Sequence, residues 1–398
     1  MTTPSQDPVV IVGAARTPMG GFQGDLAAVK APALGTVAIE AALEGGRIAP
    51  ADVDEVIMGC VLPAGMGQAP ARQASLAAGI PEAVGCTTIN KMCGSGMKAA
   101  MMAHDAILAG SGRVAVAGGF ESMTNAPYLL DRARGGYRMG HGQVYDHMFL
   151  DGLEDVYKPG RLMGTFAEET AQHYQFTRDA QDEFAIASLE RAKAAGEDGT
   201  ADAEIAPVTV KGRKGDSLIE RDEQPFKANL DKIPTLRPAF DKDGTVTAAN
   251  SSSISDGAAA LVLMRRSEAE RRGARILAEI HGHATHAQAP AWFTTAPIGA
   301  MKTLFERTGW DASSVDLFEI NEAFAVVTMA AMRDLDLPHD KVNIHGGACA
   351  LGHPVGASGA RIIVTLLNAL KKHDLKRGLA SLCIGGGEAT AIALERVA

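Results

Sequence analysis

Two cysteines and one histidine, widely separated along the chain, sit in surroundings that suit chemistry. Cys93 lies in the stretch Asn90-Lys91-Met92-Cys93-Gly94-Ser95-Gly96-Met97-Lys98. An apolar run with helical spacing follows it, through Ala99, Met101, Met102, Ala106, Ile107 and Leu108. Cys93 therefore falls just before or inside the first turn of a helix, where unpaired N–H groups and the helix dipole favour negative charge. Such a site can lower a thiol pKa from about 8.5 into the range of roughly 3.5–7.5, and the thiolate is the nucleophile. A buried structural cysteine is the competing reading. His353, between Gly352 and Pro354, belongs to a turn rather than to an apolar helical face, although a structural histidine stays open. Cys383-Ile384-Gly385-Gly386-Gly387 follows an apolar strand, and backbone N–H groups free of side chains can approach a carbonyl and stabilise its oxyanion. Asn321-Glu322-Ala323-Phe324 closes another strand, and His345 in Asn343-Ile344-His345-Gly346 fits a supporting role better than a catalytic one.

Metal chemistry is the other use of cysteine and histidine. No Cys-x-x-Cys pair exists, and a close Cys/His spacing such as Cys349 to His353 is weak support for zinc, so the expectation is a site without metal. Phosphate-binding glycine motifs fail as well: there is no Gly-x-x-x-x-Gly-Lys-Ser/Thr, and Gly13 to Gly20 lacks the dinucleotide spacing.

The elements that must position these residues occur twice. Val53-Asp54-Glu55-Val56-Ile57-Met58-Gly59 parallels Val315-Asp316-Leu317-Phe318-Glu319-Ile320-Asn321, and Gly94-Ser95-Gly96-Met97-Lys98 parallels Ala357-Ser358-Gly359-Ala360-Arg361. Asp54 precedes Ser95 by 41 positions, and Asp316 precedes Ser358 by 42. A strand and a glycine cluster follow each copy, Val114 to Gly119 and Ala380 to Gly387. Two copies of an alternating strand–helix unit favour mainly parallel sheets with helices on both faces. The second copy runs directly into its closing strand, Ala389 to Glu395; in the first, Ala258 to Met264 comes about 130 residues later. The expected division is 1–122 with 254–275 as the first half, 123–253 as an insertion, and 276–398 as the second half. Within the insertion, Thr165 to Glu168 fits a capping box and Thr177 precedes a helix-forming run through Lys193; much of the rest should be loop. Lys211, Arg213, Lys214, Arg221 and Lys227 could hold phosphates or form ordinary solvated surface, with Asp216, Glu220, Asp222 and Glu223 diluting their field.

Composition bounds the setting. A chain of 398 residues, 46% apolar and 21% charged, exceeds what one core usually supports. No apolar run approaches the roughly 20 residues that span a bilayer, and Met1 to Asp7 lacks the pattern of a signal peptide. Five cysteines suit a reducing compartment better than a disulfide framework. The net charge of −9 argues against general nucleic-acid binding while leaving room for an anionic small molecule. The expectation is a soluble, cytoplasmic, multi-domain protein.

Taken together, Asn90 to Gly96, Asn321 to Phe324, Gly352-His353-Pro354 with Gly356-Ala357-Ser358-Gly359, and Cys383 to Gly387 resemble the thiolase family along essentially the whole chain. The resemblance implies a five-layer αβαβα fold of two repeated βα halves with an inserted loop domain. It implies acetyl-CoA C-acetyltransferase activity: condensation of two acetyl-CoA to acetoacetyl-CoA and CoA, and the reverse thiolysis. Cys93 would be acylated, His353 would be its base, and Cys383 would move the α-proton. Asn321, through a water, and His353 would form one oxyanion hole; the N–H groups of Cys93 and Gly385 would form the other. Met163, Ser252, Ala323, Phe324 and Phe293 would border the substrate, Ser252 in an Asn250–Ser253 loop against the pantetheine. Leu162 stands where the family often has His, and His345 where many relatives have Asn; the family's basic adenine-binding position falls near Pro225. The resemblance calls for no cofactor beyond the CoA substrates, and for a homotetramer in which Ala126 to Gly142 resembles the tetramerisation loop. A degradative 3-ketoacyl-CoA thiolase of broader chain length and a non-catalytic acyl-CoA- or lipid-binding relative are the alternatives. The ketoacyl-ACP synthases share the fold but lack a cysteine at the position of Cys383.

Overall fold

The computed structural model describes residues 7–397; Met1 to Gln6, on which the expectation about a targeting segment mostly rests, lie outside them. In the first part of the chain are β1 (Val9–Arg16), α1 (Ala31–Gly46), β2 (Glu55–Gly59), α2 (Pro70–Ala77), β3 (Gly85–Ile89), α3 (Ser95–Ala109) and β4 (Val114–Ser122). The long connection that follows carries α4 (Met163–Tyr174) and α5 (Arg178–Glu197) and leads to β5 (Ser255–Arg265). Then come β6 (Ala278–Ala287), α6 (Ala296–Thr308), β7 (Leu317–Ile320), α7 (Ala325–Asp334), α8 (Val355–Lys372), β8 (Arg377–Ile384) and β9 (Glu388–Arg396).

The strands form two half-sheets, ordered β3-β2-β4-β5-β1 and β7-β8-β9-β6, which meet where β1 touches β6 at Val10 opposite Glu279 and Ile11 opposite Ala278. The repeat is visible in space: β2, α3, β4 and β5 of one half correspond to β7, α8, β8 and β9 of the other. The expectation of mainly parallel sheets is corrected. Only β2–β3, β2–β4 and β7–β8 pair in parallel; β1–β5, β4–β5, β6–β9 and β8–β9 are antiparallel. The closing strand of each half returns as a neighbour of the strand before it, through a short turn at Gly385–Gly387 in one half and through the long connection in the other.

Period-2 patterning assigns the faces of the sheets. Along β5, Ala259, Leu261 and Leu263 join the central core, while Ala260, Val262 and Met264 face outward against α1. The central layer is α3 beside α8, with Met97, Met101, Ile107, Ile362, Leu366 and Leu370 packed between the two half-sheets. Apolar side chains of α1 and α2, among them Leu34, Ile39 and Ala74, cover one outer face. On the other outer face Met301, Leu304 and Ala330 of α6 and α7 pack on Phe318 and Leu379. The result is five layers. α8 is buried on almost every side over Val355–Leu367, its polar Ser358, Arg361 and Thr365 included.

The two central helices touch backbone to backbone at their N-terminal ends. A Cβ on Gly96 would lie 2.7 Å from the backbone nitrogen of Ala360, and one on Gly359 2.4 Å from that of Met97. These are the two glycines that the repeat places in register.

The long connection is fastened at several points. Arg16 of β1 donates to Glu204 at 2.5 Å and to both oxygens of Asp222 at 2.7 and 2.8 Å, all buried. Thr177 caps α5 as expected, accepting from the N–H of Ala180. The capping box at Thr165 is corrected: α4 already begins at Met163, so Thr165 lies inside the first turn and its hydroxyl donates to the carbonyl of Leu162. Glu168 instead accepts from the N–H groups of Thr245 and Val246, tying α4 to the chain that leads into Asn250–Ser253.

Replacement of Gly359 by Ala should cost about 3 kcal/mol or more, because the added methyl meets backbone that cannot step aside. Gly45→Ala in α1, where an added Cβ meets no atom within 4 Å, should be neutral or slightly stabilising. Denaturant midpoints check the pair; equal midpoints for the two variants would remove the close contact from the account of the fold.

Candidate active site

The Cys93 loop is held in an unusual conformation by its own polar groups. Met92 adopts a left-handed backbone, with φ +46°, at a cost of order 1–3 kcal/mol for a residue with a side chain. Asn90 Oδ1 accepts from the N–H of Met92 at 2.8 Å, and Ser95 Oγ accepts from the N–H of Lys91 while donating to the carbonyl of Met92. Lys91 is anchored by Glu388 at 2.5 Å. Cys93 follows at once, and Gly94 is the N-cap of α3. The sulfur faces two backbone N–H groups, its own and that of Gly385.

His353 precedes α8 as Cys93 precedes α3. Its N–H reaches the carbonyl of Ser253 and the hydroxyl of Ser255. The ring Nδ1 lies 2.5 Å from Ser358 Oγ, and that hydroxyl spends its one proton on the carbonyl of Pro354 at 3.0 Å. Ser358 must therefore accept from Nδ1–H, which leaves the lone pair on Nε2. Nε2 is buried without a hydrogen-bond partner. In the sequence Ser358 stands only as part of the Gly356-Ala357-Ser358-Gly359 motif; its contact with the ring shows in the loop geometry.

A cavity of about 340 Å³ brings the residues together. Cys93, His353, Cys383 and Gly385 line it, as do all five expected substrate contacts, Met163, Ser252, Ala323, Phe324 and Phe293. Phe149, Leu153, Phe240 and Ile254 add to the apolar wall; the first two lie in a short π-helical turn, Phe149–Leu153, and none belongs to a periodic apolar run. Asn321 is not on the cavity wall. It directly follows β7, two residues before Ala323, and is buried, with Oδ1 and Nδ2 both lacking protein partners. An unsatisfied buried amide costs about 1–3 kcal/mol per group, so this side chain is available to a polar group brought in beside it. The two walls are stitched together: Ser252 N–H donates to the carbonyl of Ala323, and Ala325 N–H to that of Asn250.

The electrostatics correct the expectation of a low Cys93 pKa. Burial pushes the Cys93 thiol up to about 11, outweighing the two N–H groups, with the Glu121 carboxylate adding to the rise. Burial likewise drives His353 down to about 3, assisted by the Arg361 charge. Thiol and imidazole therefore rest neutral. Cys383 is pushed well above its ordinary range by burial and then by the neighbouring Cys93 sulfur, so two thiolates here disfavour one another. Glu121, unmentioned by sequence reasoning, is raised to about 7 by burial although the N–H groups of Val61, Leu62 and Gly356 donate to it.

Two other expectations resolve elsewhere. His345 pairs with His373, Nε2 to Nε2 at 3.0 Å, away from the cavity wall. Of the basic cluster, Lys211 pairs with Asp216, Lys227 with Asp25 and Glu223, and the Arg221 guanidinium lies over the Phe226 ring.

Family models match two stretches, the thiolase N-terminal domain over residues 9–267 and the thiolase C-terminal domain over 274–396. The chain is 50% identical to an acetyl-CoA acetyltransferase of Cupriavidus necator, over 98% of this chain and 99% of that one. It is 51% identical to acetyl-CoA acetyltransferase 2 of Arabidopsis thaliana, over 97% and 96%. Among solved structures, the acetyl-CoA acetyltransferase of Bacillus anthracis superposes with a TM-score of 0.96 at 40% identity, covering 99% of this chain and 100% of that one.

A neutral resting pair has a kinetic signature. Alkylation of Cys93 by iodoacetamide should rise about tenfold per pH unit between about pH 7 and pH 9 without levelling, because the thiolate is the reactive form and its pKa lies above that window. Rates from mass spectrometry of the Cys93 peptide check this; a plateau below about pH 8 would mean that a thiolate–imidazolium pair exists before substrate arrives.

Proposed function

The chain belongs to the thiolase family, and on that premise we propose that it is an acetyl-CoA C-acetyltransferase working through an acetyl-Cys93 intermediate. The observation that carries the reading is the meeting of Cys93, His353, Cys383 and the Gly385 N–H on one apolar cavity. His353 Nε2 takes the thiol proton as the Cys93 sulfur attacks the acetyl-CoA carbonyl. The oxyanion accepts from the N–H groups of Cys93 and Gly385. Collapse expels CoA, which leaves with the proton from His353.

Burial is the larger cause that keeps Cys383 protonated, and acetylation removes the smaller one, the possibility of negative charge on the neighbouring Cys93 sulfur. Cys383 can then pass its proton to His353 and accept the α-proton of a second acetyl-CoA. The enolate oxygen is stabilised by His353 and by a water held on the Asn321 amide. Attack of that carbon on the acetyl-Cys93 carbonyl releases acetoacetyl-CoA, and His353 returns its proton to the departing sulfur. Thiolysis is the same path reversed. The chemistry calls on no metal or prosthetic group; the CoA thioesters are substrates.

A short acyl chain suits the enclosure formed by Met163, Phe293 and Phe324. In the same reading, residues 1–122 with 254–275 and 276–398 form two catalytic halves, and 123–253 serves CoA binding and assembly, with Ser252 against the pantetheine. Exposed apolar side chains, Tyr128, Leu130, Met139 and Val144 among them, support a homotetramer held through this segment. Among the described residues no helix is long and apolar enough to cross a membrane. All five cysteines are free thiols, as a reducing compartment such as the cytoplasm would keep them.

With radiolabelled acetyl-CoA, Cys383→Ala should still label the Cys93 peptide but lose condensation by about a factor of 10² or more, whereas Cys93→Ala should do neither. Equal loss of both half-reactions in Cys383→Ala would contradict this division of labour, and an unlabelled Cys93 in the unaltered chain would favour a non-catalytic acyl-CoA binder. Turnover of acetoacetyl-CoA should exceed that of a long-chain 3-ketoacyl-CoA; the opposite order would reassign the protein as a degradative thiolase.

A further inference from the structure

Far along α3 from Cys93, three metal-ligating side chains converge. His104 and Asp105 are neighbours on the helix, and His283 comes from β6 in the other half of the molecule. His104 Nδ1 lies 3.0 Å from Asp105 Oδ1, and His283 Nε2 lies 2.9 Å from the same oxygen. One ligand atom from each residue falls within 4.8 Å of the others. The two imidazoles stand almost perpendicular, with centroids 5.0 Å apart. His104 is nearly buried and Asp105 is open to solvent, so the cluster has a fixed floor and an accessible mouth.

We propose that His104, Asp105 and His283 form a Zn²⁺ site that clamps α3 to β6 across the two halves. Two imidazoles and one carboxylate form a ligand set typical of zinc, and three protein ligands leave the fourth tetrahedral position to water. Ligand atoms roughly 2.0–2.1 Å from a tetrahedral ion stand about 3.3 Å apart, so the two contacts to Asp105 widen by a few tenths of an ångström, while the two ring nitrogens, now within 4.8 Å of each other, settle to the same spacing by side-chain rotation. Binding asks each neutral ring to move its proton to its other nitrogen, with no net proton loss. Hard cations are poorly served by two imidazoles. The Arg265 guanidinium, which reaches the carbonyl of Leu108, and the Arg307 guanidinium, which donates to the carbonyl of His283 at 2.7 Å, are nearby positive charges that limit affinity. Linear spacing could not suggest this site, because His283 is 178 positions from Asp105.

The test uses the full chain carrying Cys93→Ser and Cys383→Ser, so that the cavity thiols do not compete for metal. Titration with Co²⁺, followed by Zn²⁺ displacement, should show one ion per chain with visible absorption lacking sulfur charge-transfer bands, and Zn²⁺ should raise the melting temperature. His283→Gln and Asp105→Asn should each weaken binding by more than the roughly 10–100-fold seen when a ligand's supporting partner is removed, and should abolish the thermal shift. Asp105→Asn, at an exposed position, keeps the test sound if His283→Gln folds poorly. No saturable stoichiometric binding, or equal affinity in parent and variants, overturns the proposal.

Discussion

The closeness of two helix backbones governs everything else in this molecule. α3 and α8 approach through Gly96 and Gly359 until no side chain fits between them. Because each helix is entered from a reactive loop, this contact carries Cys93 and His353 to the same place. The glycines thus act on chemistry indirectly: they set the distance between two halves whose loops are only as well aligned as the helices beneath them. The Arg16–Glu204–Asp222 cluster and the Glu168 carboxylate then fix the long connection over the site, closing the cavity with Met163, Phe240 and the serine loop.

The cavity separates two effects that are often run together. A helix N-terminus and two N–H groups do favour charge on the Cys93 sulfur, yet the cost of burying that charge is larger. In the proposed mechanism the same N–H groups serve the oxyanion that develops on the acyl carbonyl rather than a resting thiolate. His353, its Nδ1 held by Ser358 and its buried Nε2 left without a partner, serves as the base in the proposed mechanism. The arrangement holds charge back until substrate supplies somewhere for it to go, which is what differential stabilisation of a transition state requires.

Much of this was legible in the residues. The repeat could be read because Asp54–Ser95 and Asp316–Ser358 have almost the same spacing, and each copy keeps the small residues its helix contact needs. Sheet direction could not be read, since whether β5 returns beside β4 depends on a connection of about 130 residues with no period of its own. Thr165 imitates a cap because a serine or threonine three residues before a glutamate is a local pattern, while Glu168 is taken up by the distant N–H groups of Thr245 and Val246. The thiol pKa was misjudged for a related reason: burial is a property of the fold, and the window around Cys93 gives only the dipole. Ser358 and the buried Glu121 were in plain sight, yet their tasks depend on neighbours that the chain brings from elsewhere.

Convergence of distant groups on one carbonyl is tested most directly by diffraction from crystals of the unaltered chain after brief exposure to acetyl-CoA. The expected density is an acetyl group on the Cys93 sulfur, its carbonyl oxygen within hydrogen-bond distance of the N–H groups of Cys93 and Gly385, with His353 Nε2 and the Cys383 sulfur facing the same carbon. An acetyl group on another residue, or a carbonyl oxygen turned away from both N–H groups, contradicts the proposed chemistry.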